Sequence, residues 1–164
     1  MISLLIEDIN NATPDSLNLL KAESQSVAPI MVPHMFWCAS AFPPNSLPVQ
    51  FDCLLDISSH LVIIHEQLIK DLNLHHHKLQ EPIVSELAIQ PDGPKVLEFH
   101  DFITLKLYDS SGDYVAKTVC AVISPTLCAP VLLSLPFLKY NNIVIDVDCC
   151  TTIDKHNNFD LLHC

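Results

Sequence analysis

From Pro29 onward the chain is a succession of short apolar runs cut by prolines and polar turns, a pattern that predicts strands. They are expected near Met35–Ala41, Val49–Leu55, His60–Ile64, Ile83–Ile89, Val96–Phe99, Phe102–Tyr108, Tyr114–Ile123, Val131–Leu133, Ile143–Asp146 and Thr151–Ile153. Phe102, Leu105 and Leu107 interleave with Thr104 and Lys106, roughly the alternation of a half-buried strand. Asp109-Ser110-Ser111-Gly112-Asp113 predicts a hairpin turn, and Pro91-Asp92-Gly93-Pro94 a projecting hairpin tip. Helix is scarce. His65–Leu74 carries Leu68, Ile69 and Leu72 at helical spacing, with Asn73 able to end the helix, and Pro136–Tyr140 predicts another turn or two. Residues 1–28 read as an N-terminal arm, in which Thr13-Pro14-Asp15 is a fair helix start and Ser24 to Ala28 a linker. The expected architecture is all-β, a compact barrel or sandwich over residues 29–164 behind that arm.

Composition narrows the partners. The 164 residues are 49% apolar and 16% charged, with a net charge of −11, enough apolar surface for one packed domain and too little charge for disorder. Nineteen acids oppose eight bases, which argues against direct nucleic-acid binding, since phosphate needs a basic face. Two uncharged stretches, Ser24 to Phe51 and Thr118 to Leu138, are long enough for a bilayer but dense in proline, so strands and turns are expected there and no membrane span. The start MISLLIEDINN lacks a basic region before its apolar run, and the seven cysteines form no regular framework. A reducing, cytoplasmic setting follows as the expectation.

The candidate chemistry begins at Phe51-Asp52-Cys53-Leu54-Leu55-Asp56-Ile57-Ser58-Ser59-His60, where Asp56 follows one apolar strand and precedes another. A carboxylate there is either a turn aspartate bonding its own backbone or a functional acid presented from a rigid strand end. His75-His76-His77 invites a metal reading, but adjacent residues diverge in direction, so an exposed linker after the helix is expected. Cys149-Cys150 would point to opposite faces of a strand, one thiol buried and one exposed. Asp146 and Asp148 read as a solvated strand end.

The segment around Asp56 resembles the retropepsin motif, an apolar pair followed by Asp-Thr/Ser-Gly, as found in aspartic proteases of fungal Ty3/gypsy-type retrotransposon polyproteins. HLVIIHEQLIKDLNL looks like the strand and helix that follow the catalytic loop in that group. Pro130-Val131-Leu132-Leu133-Ser134-Leu135-Pro136-Phe137-Leu138 resembles its apolar-apolar-Gly-Leu-Pro-Phe-Leu block. Asn142–Asp146 and Ile153–Leu162 resemble the closing strands, so the likeness spans about residues 45–162. It implies a retropepsin-like closed β-barrel with one or two short helices. Asp56 would be the catalytic acid, Ile57, Ser58 and Ser59 the active-site loop, and Gln90, Pro91, Asp92, Gly93 and Pro94 the flap. Leu132, Leu133 and Ser134 would pack behind the loop. The resemblance implies no cofactor and no metal. Because aspartic proteolysis needs two carboxylates sharing one proton, and this chain has one Asp in that context, it implies a homodimer acting on an extended peptide or polyprotein. Asp109-Ser110-Ser111-Gly112 looks superficially like a second copy of the motif but reads as a turn.

The departures fall on the chemistry. Ile57 stands where the family has the Thr or Ser whose hydroxyl ties the two loops together, and Ser58 and Ser134 stand where it has glycine. Each change can arise by one C-to-T or G-to-A transition, as can Arg→His, Arg→Cys and Arg→Gln. All eight bases are lysine, with two glycines, nine histidines and seven cysteines, the composition expected of a degenerate copy decayed by such transitions. The leading expectation is an aspartic endopeptidase domain whose present copy is of doubtful competence. The alternatives are a non-catalytic dimerisation or peptide-binding module on the same fold, and a cysteine- and histidine-based metal site.

Overall fold

The structure is a computed structural model describing residues 34–44, 46–86 and 96–162, all within the compact unit His34–Cys164. The expected arm at 1–28 and flap tip at 90–94 lie outside the described residues. Strands dominate: β1 (Phe36–Ala41), β2 (Val49–Leu55), β3 (Ile63–His65), β4 (His77–Glu86), β5 (Val96–Leu105), β6 (Tyr108–Asp109), β7 (Val119–Ser124), β8 (Val131–Leu133), β9 (Ile143–Asp146), β10 (Thr151–Asp154) and β11 (Phe159–Asp160). Among the described residues two short helices interrupt them, α1 (Glu66–Asp71) and α2 (Leu135–Tyr140).

Eight strands form one sheet in the order β4-β5-β7-β3-β8-β2-β1-β6, and β11-β10-β9 form a smaller one. No ladder joins the two end strands, β4 and β6, among the described residues. Two parallel pairings sit at the centre: β2 on β8, with Leu55 opposite Leu133, and β3 on β7, with Ile64 opposite Ile123. The antiparallel contact of β3 with β8 locks these two pairs together. Parallel strands buried on both faces need continuous apolar runs, which Val131-Leu132-Leu133 supplies.

The core gathers Trp37, Ile64, Leu72, Ile103, Leu107, Leu133, Phe137 and Leu161, all fully buried. Trp37 meets the edge of Tyr114 at 6.0 Å between ring centroids, and Tyr114 stacks on Phe159 at 4.9 Å. Helix α1 starts where His65 Nδ1 accepts from the Gln67 amide at 3.0 Å, and it buries Leu68 and Ile69. Asn73, at φ 49°, turns the chain out of it. Gly112 closes the 109–113 hairpin at φ 83°, a conformation that favours glycine, with its amide on the Asp109 carbonyl at 3.0 Å.

Several boundaries differ from the sequence expectation. Val96–Leu105 is one continuous strand, although Glu98, His100 and Asp101 make its middle polar. Its polar middle is paired by β4, at Glu98 and Asp101, and β7 takes over from Phe102 to Leu105, so the ladder carries the strand through while Glu98 and His100 face out. His77 opens β4, and only His75 and His76 serve as the expected linker after the helix. Pro82 lies inside β4, where the register shifts between Lys78 and Ile83, a bulge on an edge strand where a missing N–H costs no ladder bond. The strand expected from Tyr114 begins only at Val119, because Lys117 leaves the sheet to donate its amide to Asn141 Oδ1 at 2.7 Å. Cys149 and Cys150 are both exposed. They occupy the turn between β9 and β10, with Cys150 at φ 52°, so the alternation of a strand does not apply to them.

Candidate active site

Asp56 is the first residue past β2. Its amide donates to the Leu133 carbonyl at 2.9 Å, extending the β2–β8 pairing by one bond. Two residues beyond Leu133, the Leu135 amide returns to the Ser59 carbonyl at 3.3 Å. The loop Asp56-Ile57-Ser58-Ser59 is thus pinned at both ends to the β8–α2 junction. Ser134 sits between the two pins, fully buried, and its Oγ has no hydrogen-bond partner among the described residues. It is the N-cap residue of α2, yet its hydroxyl makes no capping bond, leaving a buried polar group that costs free energy.

The carboxylate of Asp56 is half-buried, and Oδ1 accepts twice from Ser58, from the amide at 2.8 Å and from Oγ at 2.6 Å. Oδ2 takes no bond from the described residues. The turn holds the carboxylate in one orientation with one oxygen committed and the other open. Ser59 closes the loop, its Oγ bonded to the Leu61 carbonyl at 3.0 Å. Ile57 instead points outward, 61% exposed.

Asp56, Ser58 and Ser59 line a cleft of about 610 Å³. Its floor is apolar: Leu54 and Leu132 from the paired strands, with Ile63, Leu127 and Phe99. Alternation along β8 explains the division of labour, since Leu132 faces the cleft while Leu133 enters the main core. Ser85 and Leu97, from the β4–β5 hairpin, complete one wall. Asp56 is the one carboxylate among the described residues lining the cleft, in which His60 and Cys128 are the other titratable groups.

A second concavity of about 720 Å³ lies beside the loop, lined by Ile57, His60, Leu135, Pro136, Leu138, Lys139, Ile143, Ile145 and Val147. His60 borders both. Elsewhere, the His75 ring lies 6.3 Å from that of His76 and 5.2 Å from that of His77, and Asp146 accepts the amides of Asp148 and Cys149 at 3.0 Å each.

One functional-looking carboxylate has a purely architectural place. Asp109, expected as a turn residue, is fully buried. Its Oδ1 accepts from Trp37 Nε1 at 3.1 Å, and Oδ2 from the Ser111 amide at 2.9 Å and Oγ at 2.6 Å. Asp56 and Asp109 therefore share one local device, an Asp-X-Ser turn in which amide and hydroxyl grip one oxygen. The sequence shows that likeness, but only burial distinguishes the acid that fronts a cleft from the one that anchors a tryptophan.

Among solved structures, the chain is similar to the retroviral protease-like domain of Ddi1 from Leishmania major, with a TM-score of 0.54 and 13% identity over 79% of this chain and 95% of that one. It is also similar to a retropepsin-like aspartic protease from Rickettsia conorii, with a TM-score of 0.43 and 16% identity over 70% and 86% of the two chains. No protein-family model and no curated protein matches the sequence. The fold of this chain, mostly β with few short helices, is retropepsin-like.

Proposed function

We propose that this chain is an aspartic endopeptidase domain that works as a homodimer, one Asp56 from each copy. The observation that carries the reading is the setting of Asp56: a strand-end carboxylate, pinned through its amide to Leu133, oriented by Ser58, with Oδ2 open at the mouth of an apolar cleft. In the symmetric pair, two such carboxylates share one proton and titrate as a unit. The unprotonated member takes a proton from water as the water oxygen attacks the scissile carbonyl carbon. The protonated member donates to the carbonyl oxygen, and collapse of the tetrahedral species breaks the C–N bond as the amine takes a proton. An apolar floor of Leu54, Ile63, Phe99, Leu127 and Leu132 suits an extended peptide with apolar side chains at the cut.

The flap would be the hairpin tip at Gln90, Pro91, Asp92, Gly93 and Pro94, closing over the peptide to exclude water. The residues around Asp56 and the Pro130–Leu138 block support an origin in a fungal Ty3/gypsy-type retrotransposon polyprotein, whose processing would be the task, in the cytoplasm. Among the described residues no helix is long and apolar enough to cross a membrane.

A second reading is favoured by Ser58 and Ser134. A side chain at 58 crowds the place where the partner loop must approach, and the unsatisfied Ser134 hydroxyl loads the packing behind it. On that reading the same fold is a dimerisation or peptide-binding module without catalysis. Cleavage of a peptide library with apolar residues at the junction, near pH 5 under reducing conditions, separates the two. Activity in the wild type that Asp56→Asn abolishes supports the protease; activity unchanged by Asp56→Asn overturns the aspartic mechanism; binding without cleavage supports the module.

A further inference from the structure

His60 borders the cleft of Asp56, yet the proteolytic reaction described above gives it no task. We propose that His60 determines specificity: its imidazole selects peptides that carry an acidic side chain, Glu or Asp, within about four residues of the cut. The inference rests on the peptide-binding cleft of the reading above and names the class of peptide it takes.

The turn after Asp56 fixes where the imidazole stands. Ser59 Oγ donates to the Leu61 carbonyl at 3.0 Å and accepts from the Leu61 amide at 3.3 Å, so the backbone on both sides of His60 is tied. The side chain is exposed and makes no hydrogen bond or ion pair among the described residues. Charge turns that placement into a preference. With nineteen acids against eight bases, the chain repels an acidic peptide over most of its surface. The titratable groups described in the cleft are Asp56, Cys128 and His60; the groove beside it adds Lys139, and a hollow of about 340 Å³ on the far side of His60 adds Cys120. Near pH 5, imidazole is the one side chain among the described residues of the cleft that can bring a positive charge. A peptide carboxylate beside it gains an ion pair. Elsewhere in the cleft it meets hydroxyls, apolar side chains, a thiol or the like charge of Asp56.

Chain geometry bounds where the acid sits. His60 follows Asp56 by four residues, so their Cα atoms are at most about 13 Å apart, and an extended peptide advances about 3.3 Å per residue. A side chain beside His60 therefore belongs to a peptide residue within about four positions of the bond cut at Asp56. In a symmetric pair each end of the peptide meets one His60, so the preference falls at matched positions before and after the cut.

The test is a set of labelled peptides with apolar residues at the junction and Glu, Gln or Lys at each of the four positions on either side. Cleavage and, by fluorescence anisotropy, binding are measured on the full chain at pH 5 and pH 8 with a reductant present. The wild type is expected to favour Glu over Gln by about fivefold at one matched pair of positions at pH 5, the scale of a single ion pair. That preference should fade at pH 8, as imidazole gives up its proton. His60→Gln should show no preference at either pH, and His60→Lys should keep it at both. A wild type indifferent to Glu overturns the inference, as does a preference that survives in His60→Gln or is equal at the two pH values. A chain that binds none of the peptides overturns it too. The outcome for proteolysis is separate: Glu-selective binding without cleavage keeps this inference and discards catalysis, and Asp56-dependent cleavage indifferent to Glu does the reverse.

Discussion

The amide of Asp56 rests on the carbonyl of Leu133 at 2.9 Å, so the candidate catalytic acid is held by a strand that follows it by more than seventy residues. This bond continues the parallel ladder of β2 on β8, and it makes the position of the carboxylate a property of the core rather than of a surface loop. Whatever disturbs Leu133 or the residue after it is transmitted to Asp56 through main chain alone.

Ser134 is where that support is under load. Its hydroxyl is fully buried without a described partner, and Ser134→Ala removes the orphan group without adding volume. A buried unsatisfied hydroxyl costs roughly 1–3 kcal/mol, so the variant should gain about 1 kcal/mol after allowance for local relaxation. Urea denaturation checks it, through a higher midpoint at unchanged slope. A lower midpoint would mean that the hydroxyl is satisfied, by ordered water for example.

Ser58 offers a test on the activity side. Its amide bond to Asp56 Oδ1 survives Ser58→Gly, whereas the Oγ bond and the Cβ are lost. If crowding limits the approach of the two carboxylates, Ser58→Gly should raise kcat/KM by about tenfold, as misplacements near 1 Å commonly cost that much or more. A fall in rate would show that the second donor helps to orient the acid.

The Asp109 anchor predicts a large stability effect far from the cleft. Asp109→Ala leaves the indole N–H of Trp37 and the Ser111 donors without the carboxylate they share, inside a packed core. A loss of about 3 kcal/mol is expected. The chain's single tryptophan reports it directly, as a shift of Trp37 fluorescence at the unfolding midpoint. Asp109→Asn, which keeps one acceptor oxygen, should lose less.

Alkaline pH should destabilise the fold. Burial pushes the Cys53 thiol well above its ordinary value of 9.0, aided by Asp52 and Cys38; burial, then the nearby Asp154 carboxylate, raises Tyr114 above its ordinary 10.0. Both groups stay neutral in the folded chain at pH values where the unfolded chain ionises. Their contribution is therefore fully present below the unfolded values and is lost as pH rises from about 9 upward. Melting temperatures across pH 8 to 11 measure it. Alkylation at pH 8 gives a second readout: Cys38, Cys120, Cys128, Cys149 and Cys150 are exposed and should react, while Cys53 should be spared until the chain unfolds.

The local pattern determined the strands that need no neighbour to be recognised. Val49–Leu55, Val131–Leu133 and Ile143–Asp146 occur as read, because an apolar run bounded by turn residues has little else to form. The same holds for Asp56 at a strand end and for the turn that Ser58 makes with it, since an Asp-X-Ser step bonds its own backbone. Tertiary structure decided what those pieces do. Pairing with β4 carried β5 through its polar centre, which composition alone would break. Asp56 and Asp109 make the same local turn, and only the packing of Trp37 over one and the opening of a cleft before the other sets them apart. Leu132 and Leu133 are equivalent as letters, yet the parallel pairing with β2 sends one into the cleft and the other into the core. Sequence encodes short-range hydrogen bonding and apolar periodicity, which act within a few residues. Burial depends on which distant strand covers a side chain, and that is fixed only when the sheet has formed.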